Sequence, residues 1–172
     1  MSIKEGSASD GCCPSCGASG VRSAHECQGL FAEMGVREYS DAEYFRSHRL
    51  TVDAYCLQHP EHYMVSSKSA ATHLTAMCWS FEHGYSLHVP APIKAWVDGP
   101  RAFPRVAAPP PGERGTLTLL HCVEAQDPVD YHRRAREWAD SAWQAWSEHW
   151  PRARAWVQEA LAKGSAQAAR HT

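Results

Sequence analysis

Residues 12–27, CCPSCGASGVRSAHEC, hold four cysteines and one histidine, and Val21 is almost the only apolar side chain among them. Such a segment cannot fold by burying hydrocarbon, so sulfur chemistry must hold it in place. Three chemistries compete: a disulfide knot, a redox pair and a metal site. The knot is the weakest. The chain has seven cysteines, an odd number, and Cys56, Cys78 and Cys122 stand in apolar segments, where a thiol packs as a small hydrophobe. The opening MSIKEGSASDG lacks the apolar stretch of a secretory signal, and no apolar run approaches the ~20 residues of a membrane span. A cytoplasmic setting is therefore expected, and there thiols stay reduced.

The redox reading asks for a C-x-x-C pair at a helix N-terminus, whose dipole lowers a thiol pKa. Glycine, serine and alanine follow Cys16 instead. The metal reading fits better. Cys13-Pro14-Ser15-Cys16-Gly17 has the spacing of a knuckle in which two thiolates grip one ion, and Gly17 allows the positive φ of its tight turn. Cys27 supplies a third sulfur, and a donor set of this softness favours Zn²⁺.

A closed zinc site needs a fourth donor. Consecutive residues seldom both reach one tetrahedral ion, which sets Cys12 aside. His25, His48, Cys56 and His59 remain. With a short helix at 28–36 and a longer antiparallel one from Ser40 to the stop at Pro60, the residue level with Cys27 falls at about position 51. That favours His48, so Cys13, Cys16, Cys27 and His48 are the expected ligands of a structural Cys3His-type site.

At 172 residues the chain suits one domain with its own core, and a net charge of −2 offers no electrostatic case for a nucleic-acid or acidic-membrane partner. A third helix is expected after Ser66 or Ser67, ending at Gly84, and a short fourth with Pro92 in its first turn and Gly99 after its end. Residues 100–115 are a Pro-rich connector, because proline removes backbone donors and fixes φ. The stretch 116–125 reads equally as a short strand or a helical turn. From Asp127 a long helical pattern runs toward Lys163, bent near Pro151. The expected fold class is mainly α: a single-domain bundle of five or six helices at 12–164, with a metal-binding loop at 12–27 and flexible tails at 1–11 and 165–172.

HRLTVDAYCLQHP poses a second question. His48, Val52, Tyr55 and His59 share one helical face, but the two imidazoles stand about 16 Å apart and cannot bind one ion together. Asp53 lies one residue off that face, where it could orient a histidine from a neighbouring helix, and His73 is such a histidine. Asp53, His59 and His73 are the candidate catalytic residues, against the plainer reading that they make buried hydrogen bonds that fix helix packing.

The combination of Cys-Pro-x-Cys-Gly, Cys-Gln, His-Arg-Leu-Thr-Val-Asp-Ala-Tyr, Gln-His-Pro and Ser-x-Lys-Ser-x-x-x-His-Leu resembles an uncharacterised bacterial family of unknown function. The resemblance runs over most of the chain from Cys13 onward and includes the Trp-rich C-terminal helix. It implies that Cys13, Cys16, Cys27, His48, Asp53, His59 and His73 are the residues to examine, and it implies no activity.

Five of the seven tryptophans stand in REWADSAWQAWSEHWPRARAW. Trp143, Trp146 and Trp150 share one face of an ideal helix, as a core stripe does; the alternative is an aromatic pocket or a homodimer face. The functional expectation is a zinc-binding cytoplasmic protein with a binding or adaptor role toward a protein or small molecule. The alternative is a metal-dependent or histidine-based enzyme acting on a small substrate, and the third reading is a thiol redox sensor.

Overall fold

The computed structural model describes residues 11–168, and the expected tails at 1–10 and 169–172 lie outside the described residues. Residues 165–168, expected as part of the second tail, continue the last helix. Among the described residues there are nine helices and no β-strand: α1 (Ala24–Ser40), α2 (Ala42–Phe45), α3 (His48–Gln58), α4 (Pro60–Tyr63), α5 (Ser67–Glu82), α6 (Ala91–Asp98), α7 (Leu120–Val123), α8 (Pro128–Ala145) and α9 (Trp150–Ala168). None of them is long and apolar enough to cross a membrane.

The bundle is built around α3, of whose eleven residues eight are buried. It packs on α8 and α5, with α1 alongside, while α9 covers α5 and α6. Leu50, Leu57, Leu74 and Met77 are fully buried in this core, each contributing about 1.5–3 kcal/mol by leaving water. Trp143 and Trp146 of the expected stripe are buried with them, as are Trp138 and Trp156, while Trp150 is half-buried against the same core. A helix buried on all sides must also find partners for its polar groups. That requirement shapes everything around Asp53 and His59.

Four boundaries differ from expectation. The first helix begins four residues earlier than expected, because Ser23 Oγ accepts from Glu26 N at 3.1 Å while the Glu26 carboxylate accepts from Arg22 N at 2.8 Å. It also runs on to Ser40, which ends α1 instead of capping the next helix. The expected single helix from Ser40 to His59 is two: Asp41 caps the short α2, and the chain turns at Arg46 and Ser47 before α3 begins. In the C-terminal third the break comes at a 3-10 turn, Ser147–His149, and Pro151 sits in the first turn of α9, where its missing N–H costs nothing. The ambiguous stretch near 120 is a helical turn. Ser66 does cap α5 and Gly99 follows α6, as expected.

Candidate metal centre

The knuckle is a tight hairpin. Cys13 N donates to Ala18 O and Gly17 N to Cys13 O, both at 2.9 Å, and Gly17 takes the positive φ of 78° expected of it. This turn aims the sulfurs of Cys13 and Cys16 at the first turns of α1, where Cys27 points back at them. The fourth donor is His59, at the junction of α3 and α4. Cys13, Cys16, Cys27 and His59 are all buried, and their ligand atoms lie within 4.8 Å of one another.

Three of the six separations lie close to the edges of a tetrahedron. With Zn–S near 2.3 Å and Zn–N near 2.05 Å, tetrahedral edges are about 3.8 Å for S···S and about 3.6 Å for S···N. The structure has Cys16 Sγ to Cys27 Sγ at 3.8 Å, Cys13 Sγ to His59 Nε2 at 3.6 Å and Cys27 Sγ to His59 Nε2 at 3.3 Å. The imidazole is set for ligation. Its Nδ1 lies 2.9 Å from Tyr55 O, an atom that only accepts, so Nδ1 carries the hydrogen and a neutral ring turns its Nε2 lone pair on the sulfurs. Tyr55 stacks on the ring at 4.0 Å and Phe31 stacks on Tyr55 at 3.9 Å, which fixes the plane.

The electrostatics point the same way. Hydrogen bonds from Cys16 and Cys27 hold the Cys13 thiol far below its ordinary range, while the contacts with Cys13 and Cys16 push the Cys27 thiol far above it. Burial pulls the His59 pKa down, but its contacts with Cys13 and Cys16 carry it up to about 9. Without a cation among the sulfurs, Cys13 is the thiolate and the ring keeps its second proton; a divalent cation would replace that proton and let all three sulfurs be thiolates at once. These residues fit a tetrahedral sulfur-and-nitrogen metal site.

The end of α3 is held from a distance. A helix leaves its last carbonyls without intrahelical donors. Here Trp146 Nε1 donates to Leu57 O at 3.1 Å, and Arg114 Nη1 donates to Gln58 O at 3.2 Å. Arg114 is buried, and Glu61 grips its guanidinium while Arg114 Nε donates to Pro109 O at 2.9 Å. Gln58 completes the frame, donating to Arg114 O and Leu117 O and accepting from Trp138 Nε1. Sequence reasoning missed Arg114, Gln58 and the Trp146 indole; an arginine inside a proline-rich segment was the one available signal.

His48, the expected fourth ligand, lies elsewhere. Its Nδ1 meets the buried Glu38 carboxylate at 2.7 Å and its Nε2 meets Tyr39 Oη at 3.1 Å, while Thr51 and Tyr131 complete the Glu38 shell. The reason is helix length. From Cys27, α1 runs thirteen residues to Ser40, about 20 Å. The antiparallel α3 starts only at His48, so the residue level with Cys27 is the one just after its last turn, His59. His48→Ala will leave the metal content unchanged and cost about 1.5–3 kcal/mol through the lost bond to Glu38, checked by elemental analysis beside a urea melt.

Of the candidate catalytic set, Asp53 and His73 meet and His59 stands apart from them. His73 Nδ1 lies 2.9 Å from Asp53 Oδ1, and Arg49 Nη1 approaches the other carboxylate oxygen at 3.5 Å. Burial lowers the His73 pKa, and its bonds to Asp53 and Cys56 more than reverse this, to about 10. Cys56 thus faces His73, not the cysteine cluster. His25 is exposed on the first turn of α1, and neither it nor Cys12 joins the four donors.

The sequence model of a family of unknown function (DUF5946) matches residues 11–147. The chain belongs to this family. The stretch matched to DUF5946 takes in all four clustered donors as well as Arg114 and Trp146, which frame His59. No curated protein matches, and no solved structure matches.

Proposed function

We propose that Cys13, Cys16, Cys27 and His59 hold one Zn²⁺ in a closed structural site, and that the protein acts by binding rather than by catalysis at the metal. The observation that carries this reading is the convergence of four buried protein donors within 4.8 Å of one another, three of their separations close to tetrahedral edges. A catalytic zinc keeps a position for water or substrate, and four protein donors fill the coordination shell. Three thiolates and an imidazole suit a d¹⁰ ion without geometric demands of its own. Bound there, zinc supplies a cross-link: it ties the knuckle and the start of α1 to the end of α3, a loop that hydrocarbon alone does not hold.

The untagged protein should carry close to one zinc per chain by elemental analysis. Exchange for Co²⁺ should produce the visible absorption of a tetrahedral thiolate site. Cys16→Ser should lose the metal, since a neutral hydroxyl is a poor ligand, while Cys122→Ser should keep it. Metal-free protein with every thiol open to reagent in the native state would overturn the reading.

A further inference from the structure

Away from the cysteine cluster, a cavity of about 320 Å³ lies between α5, the 87–89 segment and α6. That volume is at the lower end of the roughly 300–1,000 Å³ of small-molecule sites. Leu87, Val89, Ile93 and Val97 line it with hydrocarbon, and Arg49 closes one wall.

The guanidinium of that wall is loosely paired. Asp53 is the one carboxylate shared by Arg49 and His73, and His73 takes the nearer oxygen, at 2.9 Å against 3.5 Å. Asp53 is thus divided between two partners, and its contact with Arg49 is the longer of the two. The other cation of the lining, Lys94, is already paired with Asp98 at 2.5 Å. Arg49 is mostly buried and positioned by Ser86 O at 3.1 Å, Ser80 Oγ at 2.5 Å and the Tyr85 ring. These bonds orient the guanidinium but do not neutralise it. Its contacts with Asp53 and with Ala76 O, at 3.5 and 3.4 Å, are long enough to be exchanged for a better acceptor.

We propose that this cavity binds a small organic monocarboxylate, its carboxylate against Arg49 and its hydrocarbon body on Leu87, Val89, Ile93 and Val97. A carboxylate offers Arg49 a closer acceptor than Asp53 does, and the apolar lining selects an anion with a hydrocarbon body over inorganic phosphate. The site is independent of the metal reading.

The test titrates the full-length protein, with its metal content measured on the same sample, with the straight-chain acids from butyrate to octanoate, each beside its primary amide, following backbone amide shifts by NMR. A charge-assisted bond distinguishes acid from amide by about tenfold or more, so at least one acid should bind that much more tightly than its amide, with shifts centred on Val89, Ile93 and Val97. Thr72→Trp, a substitution at an exposed position on α5 that lines the cavity, should weaken that acid by a similar factor with helical circular dichroism unchanged. Arg49→Gln should abolish the preference for acid over amide; if that variant fails to fold, the acid–amide comparison and Thr72→Trp decide. The proposal is overturned if no acid outbinds its amide, or if Thr72→Trp leaves the affinity unchanged.

Discussion

His59→Ala will strip the zinc from the protein and lower its stability by about 4 kcal/mol or more, combining a lost ligand with the cavity left by a buried ring. For a chain of this size that is about 8–16 °C in Tm. Structural loss should be local in character. The segment 11–23 has few buried side chains beyond Cys13, Cys16, Ala18 and Val21, and should become the first site of proteolysis, as it should after chelation of the wild type. The helices α5, α6, α8 and α9 have their own packing and should keep their circular dichroism. His59→Cys separates ligation from packing: it offers a fourth thiolate and should restore the metal while the stacking on Tyr55 stays lost. If His59→Ala retains a full equivalent of zinc, the imidazole is a packing group and the fourth donor must be sought elsewhere.

Asp53→Ala should cost about 3–5 kcal/mol near pH 6, because it leaves Arg49 and His73 together without their carboxylate. The cost depends on pH in a defined direction. The His73 pKa in the folded protein, about 10, is raised from its ordinary 6.5. The stability gained from its charged form is therefore full below about pH 6.5 and is lost as the pH rises through about 10. Urea unfolding should show the gap between wild type and variant widest near pH 6 and narrowing steadily toward pH 10. A gap that stays constant across that interval would mean that His73 is not the charged partner of Asp53.

The parts of the site that were legible in the sequence are those governed by local spacing. Cys13, Cys16 and Gly17 form a turn whose geometry depends on five consecutive residues, and Cys27 follows at a distance a short loop can close. The pairing of Asp53 with His73 was legible for a similar reason: both residues sit on well-punctuated helices, at positions where neighbouring helices meet. His59 stood among the possible fourth donors but behind His48, because choosing between them requires two helix lengths to be right at once. Ser23 and Glu26 carried a readable start signal for α1. The turn at Arg46 and Ser47 carried none, having neither glycine nor proline, and so the register slid by a full helix length. The frame around α3 was beyond local reasoning altogether. Gln58 and Arg114 are 56 residues apart, and no periodic pattern announces a carbonyl that waits for a distant donor.

That frame has a consequence for the order of events during synthesis. Leu57 and Trp146, whose indole closes the last turn of α3, are 89 residues apart. At ordinary elongation rates of about 5–20 residues per second, about 4–18 s pass between the appearance of the two. Through most of that interval Cys13, Cys16, Cys27 and His59 are already made, while the Leu57 carbonyl two residues before His59 still lacks its donor. The four donors of the proposed site are thus complete in the chain before the last turn of α3 is closed by Trp146.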